Sequence, residues 1–389
     1  MARRIVSLAQ NLALSGLALA LVLLVLEFGV FRTILVPDDL LENVSIDGIV
    51  RYKPNTRAIF RHPDGRQSLV SINADGWNSP KPAYRAAKPP GTLRIAVIGD
   101  SYVHGAFVNV GLGFPEVIEK ELGQRGVRAE VLRFGMDGAP LSQYLNMLRT
   151  IAPKYHPDVV VVQLIHNDFD ESYRFMRTRY TSSFMKIGEN ARGELSEIAP
   201  TPFQPGIADL MRRSALFRYM YYETGLYLEL KKYVSRYFWG GDEEWRPEFI
   251  SSAVDIRNLD EPDKITRVTR YVIRKMKRVA RENGVKLVFA MDGVREAIYA
   301  RRPTGDFKVG ELNRIAARIV GEEGLPFLDL QETFAIHYNR YHERFEYPYD
   351  WHWNVLANRL VGKAITRFLL SSGTVAKRLA EAGDVVNSE

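Results

Sequence analysis

Leu93-Arg94-Ile95-Ala96-Val97-Ile98-Gly99-Asp100-Ser101 joins a mostly apolar run to an abrupt polar end. An apolar run that stops at a glycine and at once presents Asp-Ser reads as a buried strand. It carries a serine hydroxyl to the C-terminal edge of a sheet, where open α/β sheets build their sites. Serine is a weak nucleophile until a base takes its proton. Far along the chain, Asp350-Trp351-His352 supplies a histidine with a carboxylate two residues before it, the partner such a serine needs. The pairing points to acyl-transfer chemistry.

The pattern on either side alternates. Apolar runs at Leu93–Ile98, Val127–Phe134, Val159–Leu164, Leu287–Met291 and Phe327–Leu330 read as strands. Helical patterns at Phe114–Gln124, Leu141–Ala152, Ile265–Asn283 and Gly310–Glu322 fall between them, and a last amphipathic helix runs from about Val355 to Leu370. Continuous apolar strands alternating with helices predict an α/β fold with a central parallel sheet covered on both faces. The spacing breaks once, at a long insertion over 168–256. Its apolar and aromatic residues Phe217, Tyr221, Leu228, Tyr233 and Tyr237 suggest amphipathic helices, read either as packing onto the sheet domain or as a lid or carbohydrate-stacking surface.

The N-terminus is uncharged from Ile5 to Leu26, behind Arg3 and Arg4. A helix needs roughly 20 apolar residues to cross a bilayer core. The run lacks the small-x-small cleavage site of a signal peptide, so 1–35 reads as an uncleaved signal anchor. Basic residues before the span and Asp38, Asp39 and Glu42 after it place the N-terminus in the cytoplasm and the body on the extracytoplasmic, periplasmic side. Residues 36–90, punctuated by Pro37, Pro54, Pro63, Pro80, Pro82, Pro89 and Pro90, read as an extended lead-in with one strand at Leu69–Ile72. The catalytic body is expected over 91–372, and 373–389 as a polar tail.

The chain has 389 residues, 46% of them hydrophobic, which suffices for one large core, and no cysteine, which excludes disulfides and thiolate chemistry. Its net charge of +7 gathers on one predicted helix, Lys264 to Arg281. Ile265, Val268, Val272, Met276 and Val279 mark that helix's buried side. The basic side reads as a solvated face or as a contact for anionic lipid headgroups or an acidic polymer, and nucleic acid is not expected.

Over Thr92 to Leu370 the chain resembles the SGNH hydrolases, also called GDSL-type esterases, in their membrane-anchored extracytoplasmic branch. Gly99-Asp100-Ser101 matches the first block and Arg133-Phe134-Gly135-Met136-Asp137-Gly138 the second, with Arg133 where Asn is usual. Ile165-His166-Asn167-Asp168 matches the third, with Ile165 in place of Gly, and Asp350-Trp351-His352-Trp353-Asn354 is a shortened form of the last. Leu26-Glu27-Phe28-Gly29 and Asn73-Ala74-Asp75-Gly76 match segments found in similar anchored proteins. The resemblance implies a flavodoxin-like three-layer sandwich. It implies Ser101 as nucleophile, His352 as base and Asp350 as orienting acid, with an oxyanion site formed by the N–H groups of Ser101 and Gly138 and the Asn167 amide.

Tyr102, His104, His166 and Trp351 are expected to line the cleft and meet substrate. No spacing demands a metal site from His104, His166 and Asp168, and no cofactor is expected. The resemblance implies a serine esterase or deacylase acting on O-acyl, often acetyl, esters of a small molecule or polysaccharide. The alternatives are a polysaccharide O-acetyltransferase using the same triad and a non-catalytic scaffold of a cell-envelope assembly with partner proteins there. The expected partners are therefore an acylated substrate and, through the N-terminal helix, the lipid bilayer.

Overall fold

The structure is a computed structural model and describes residues 2–62, 64–175, 181–224, 259–348 and 350–375. The chain divides into two units, Met1–Glu42 with Gln204–Arg246 and Asn43–Phe203 with Pro247–Glu389.

In the first unit, α1 (Ala2–Val25) runs into one π-helical turn, Leu26–Val30. The segment Ala9–Val30 has a mean hydropathy of 2.3, none of it is buried, and it is long and apolar enough to cross a membrane. Two short helices, α5 (Ile207–Met211) and α6 (Ala215–Arg218), belong to the same unit. The Glu27 carboxylate accepts hydrogen bonds from the main-chain N–H of Ala215 and Leu216 (2.9 and 2.8 Å) and from Arg32 (2.8 Å). The return segment is thereby tied to the end of the apolar helix. Phe217 and Tyr221 stack at 5.2 Å, whereas Leu228, Tyr233 and Tyr237 lie outside the described residues.

The second unit opens with two hairpins where the sequence suggests an extended lead-in. β1 (Asn43–Ile46) pairs with β2 (Ile49–Tyr52), and β3 (Thr56–Arg61) with β4 (Gln67–Ile72). Asp47 and Gly48, both at positive φ (53° and 73°), make the first turn, an Asp-Gly signal whose preference for such hairpins follows from the twist of the flanking strands. Pro54 sits harmlessly in the connection between β2 and β3. The chain from 73 to 92 then crosses to the sheet and is clamped by the buried Arg94. Its guanidinium donates to Ala86 O (2.9 Å), Ala87 O (3.1 Å) and Tyr155 O (2.6 Å) and pairs with Glu130 (2.7 Å).

The central sheet is parallel throughout. β5 (Leu93–Gly99), β6 (Ala129–Gly135), β7 (Val159–Leu164), β10 (Lys286–Met291) and β11 (Phe327–Asp329) stand in the order β11-β10-β7-β5-β6. All seven residues of β5 are buried, as a strand covered on both faces requires. Successive side chains point to opposite faces. Ile95 and Val97 join one core with Phe114, Ile118 and Leu122 of α3 (Phe114–Gly123), Phe334 of α10 (Gln331–Tyr341) and Val361, Ile365 and Leu369 of α11 (Val355–Ser371). On the other side α4 (Leu141–Tyr155), α7 (Pro262–Glu282) and α9 (Gly310–Glu322) pack together over the sheet. The α/β sandwich read from the sequence is what the chain forms.

The insertion begins otherwise than expected: 3₁₀ turns at His166–Asp168 and Asp170–Ser172 lead to an antiparallel hairpin, β8 (Lys186–Glu189) with β9 (Leu195–Ile198). Helix α7 buries Ile265, Val268, Val272 and Met276 as the periodicity predicts. Its basic side is matched by carboxylates, Arg267 with Glu189 (2.8 Å), Arg270 with Glu322 (2.6 Å) and Arg274 with Glu323 (2.6 Å). Such exposed pairs are screened by solvent and stabilise little, but they make this face a solvated ion-pair surface rather than a bare cationic patch. Of the expected tail, Val375 is buried in the core and residues from 376 onward lie outside the described residues.

At the end of β6, a Cβ on Gly135 would lie 2.1 Å from the main-chain nitrogen of His104, an atom that cannot step aside. Gly135→Ala is therefore expected to lower stability by about 1–3 kcal/mol or more, measured by urea unfolding of the detergent-solubilised chain.

Candidate active site

β5 ends at Gly99, and the chain turns at once into α2 (Ser101–His104), a single turn closed by Gly105 in the left-handed region (φ 65°). The Asp100 side chain caps that turn by accepting from the N–H of Tyr102 at 2.9 Å. Ser101 thus stands at the first position of a capped turn on the C-terminal edge of the sheet.

The last motif folds as β13 (Asp350–Trp353), paired with β12 (Glu346–Tyr347). Residues two apart on a strand share a face, which is why an Asp-x-His spacing serves as well as a longer one. One oxygen of Asp350 accepts from both the main-chain N–H of His352 (2.7 Å) and its ring Nδ1 (2.6 Å). With the hydrogen assigned to Nδ1, Nε2 is left as acceptor, and Ser101 Oγ lies 2.8 Å from it. The His352 ring packs between Phe107, stacked at 4.5 Å and 11°, and Tyr102 at 4.9 Å. Ser101, His352 and Asp350, 251 residues apart at the extremes of the first contact, form one hydrogen-bonded chain. That order lets a hydroxyl pass its proton to an imidazole whose tautomer is fixed by a carboxylate.

The sheet order β7-β5-β6 sets the segments carrying Asn167, Ser101 and Gly138 side by side at one edge. Gly138 is exposed and takes φ 68°, a conformation that favours glycine. The Asn167 amide makes a long 3.4 Å bond to Glu171. Asp168 sets this turn: it is buried and accepts from Tyr144 Oη (2.7 Å) and the N–H of Ile165 (2.7 Å). Ile165, where the family pattern has glycine, is buried in the core. Arg133, the other departure, is buried too, pairs with Glu116 and donates to His104 O at 3.0 Å.

Of the residues expected to meet substrate, only Trp351 is partly exposed; Tyr102, His104 and His166 have buried side chains. His166 bonds Asn313 at 2.8 Å, and burial lowers its pKa to about 4. His104 pairs through Nδ1 with Asp137 (2.6 Å) and meets Tyr52 Oη at 3.0 Å, a contact from the first hairpin. Both histidines therefore brace loops from beneath. Sequence reasoning missed Phe107, Asp137 and Tyr52; for Phe107 the only signal is an aromatic residue six positions after Ser101, just past the turn. Among the described residues, no group of three or more His, Cys, Asp or Glu is arranged to hold a metal ion.

Buried carboxyls crowd the site. Burial drives Asp100 up to about 7 against its bond from Tyr102, and burial and the Asp100 charge drive Asp168 well above the usual carboxylate range. For His352, burial pulls the pKa down, but the Asp350 bond and the charges of Asp350, Asp100 and Asp137 together raise it above the ordinary 6.5. Only neutral His352 can accept the serine proton. Activity is thus expected to be lost as pH falls, with the midpoint of the kcat/KM profile for a neutral ester above 6.5. Asp350→Asn should move that midpoint down as well as slow the reaction. Asn167→Ala should lower kcat by about 10²–10³-fold with little change in KM if the amide meets the oxyanion.

The family model described as GDSL-like Lipase/Acylhydrolase matches residues 95–365. No curated protein sequence matches the chain. Among solved structures, the chain is similar to TesA at 12% identity, with 71% of this chain and 97% of that one covered and a TM-score of 0.37. It is also similar to the acetyl xylan esterase AlAXEase at 15% identity (70% and 97% covered, TM-score 0.39). A third is the lipase/acylhydrolase from Enterococcus faecalis at 13% identity (71% and 94% covered, TM-score 0.38). With the Gly-Asp-Ser turn at the end of β5 and the family match spanning the sheet from β5 to α11, the chain belongs to the GDSL-like lipase/acylhydrolases, the SGNH hydrolases.

Proposed function

We propose that the protein is a membrane-anchored, extracytoplasmic serine esterase. It cleaves small O-acyl esters, acetyl foremost, on a saccharide through an acyl-serine intermediate at Ser101. The hydrogen-bonded order Ser101–His352–Asp350 carries this reading. His352 takes the hydroxyl proton as Oγ attacks the ester carbonyl. The N–H groups of Ser101 and Gly138 and the Asn167 amide face the developing oxyanion. His352 then returns the proton to the leaving alkoxide, and water repeats the sequence to release the acid.

Partly exposed aromatic rings near the triad, Phe107 and Trp351, with Tyr347 beside them on the strand next to β13, support a sugar ring as the alcohol part. The apolar Ala9–Val30 segment, behind Arg3 and Arg4, supports anchoring with the body outside the cytoplasm. A polysaccharide hydroxyl in place of water in the second step would make the same site an acetyltransferase. The intact proton path favours either enzyme over a scaffold.

Ser101→Ala is expected to lower turnover of 4-nitrophenyl acetate by more than about 10³-fold and to abolish labelling by a fluorophosphonate, with the circular dichroism spectrum unchanged. Activity within a few-fold of the parent would remove Ser101 as nucleophile. Acetate release that gives way to acetylated sugar when an acceptor is added would favour the transferase. A phosphatase reporter fused after Glu389 should be active in intact cells and stay with the membrane fraction.

A further inference from the structure

Arg295, the first residue of α8 (Arg295–Ala300), has no exposed side-chain surface, yet it lies far in sequence from every motif of the site. Its Nη1 donates to the main-chain oxygen of Trp351 at 2.6 Å and its Nη2 to Tyr102 Oη at 2.8 Å. Tyr102 Oη in turn donates to the same Trp351 oxygen at 2.9 Å. Guanidinium, phenol and carbonyl thus close a ring of three hydrogen bonds. Two buried carboxylates, Asp292 and Glu346, stand 3.5 Å from the guanidinium and balance its charge.

We propose that Arg295, acting through Tyr102, is a positioning residue for the triad, an inference that rests on the serine-esterase reading above. The members of the ring say what is being held. Tyr102 is the residue after Ser101, on α2. Trp351 is the residue between Asp350 and His352, on β13. The planar fork of Arg295 therefore joins the element bearing the nucleophile to the element bearing the base, and the Tyr102 ring also packs on the His352 imidazole at 4.9 Å. α2 is a single turn and β13 belongs to a two-stranded sheet, so neither has an extensive ladder of its own to fix the gap between them. The 2.8 Å separation of Ser101 Oγ and His352 Nε2 depends on that gap. Small misplacements of reacting groups slow chemistry steeply, by up to about 10²-fold for an ångström. Charge alone does not explain the choice of residue, because a lysine cannot present two parallel donors in one plane.

The test uses the full chain in mild detergent. Tyr102→Phe keeps the ring on His352 and removes only the hydroxyl. It is expected to lower kcat for 4-nitrophenyl acetate on the order of 10-fold, to leave KM within about two-fold, and to slow fluorophosphonate labelling of Ser101 by the same factor as kcat. Arg295→Lys keeps a cation between Asp292 and Glu346 and should show the same split. The double variant should lose little more than the worse single one, since both break one ring. A folded Tyr102→Phe protein with parental kcat and labelling rate overturns the proposal, as does a loss confined to melting temperature. Tyr102→Phe decides alone if Arg295→Lys does not fold. The two readings separate cleanly: active Ser101→Ala removes the esterase reading itself, whereas inert Ser101→Ala beside fully active Tyr102→Phe removes only the brace.

Discussion

Everything at the site depends on how closely backbone approaches backbone where the central strands end. Gly99 and Gly135 are paired across β5 and β6, and neither has room for a side chain: Val103 stands 2.4 Å from where a Cβ of Gly99 would be, and the α2 backbone closes off Gly135. The turn bearing Ser101 is therefore wedged against the sheet rather than resting on a cushion of side chains. Packed interiors deform little, so the serine inherits the rigidity of the sheet. His352 reaches it from a two-stranded ribbon, which is why contacts between the two elements matter as much as contacts within them.

The electrostatics follow from the same compactness. Asp100 must sit under the serine to cap its turn, and Asp168 must sit under the neighbouring loop to hold Ile165 and Tyr144. Both are buried, and their charges repel, so each is pushed toward its neutral form. The Asp350 carboxylate, by contrast, remains partly exposed and accepts from two donors of one residue.

The parallel sheet was legible because its strands are continuous apolar runs, and each observed strand lies within two residues of its expected bounds. Ser101, His352 and Asp350 were legible because short motifs bring chemistry to strand ends. Burial was not: a histidine next to a motif looks the same whether it faces the cleft or, like His104 and His166, the interior. Of the hairpins over 43–72 only the strand at Leu69–Ile72 was read, because Pro54, which falls in a connection, obscured the pattern, although Asp47-Gly48 was a readable turn. Arg295 was invisible because only the fold brings it beside Trp351 and Tyr102.

The second hairpin has a practical meaning. Ser68 Oγ donates to Ala106 O at 2.6 Å, and Leu69 exchanges main-chain and side-chain bonds with Val110 and Asn109 (both 2.8 Å). The hairpin thus grips the loop on which Phe107 lies against the His352 ring. What reads in the sequence as a spacer is a support for the loop that lies against His352. A soluble form made by trimming the chain to the family-matched region would begin near residue 95 and leave the imidazole's stacking partner on an unsupported loop. A cut between Glu42 and Asn43 keeps both hairpins but strips Ala215 and Leu216 of the Glu27 carboxylate that holds them.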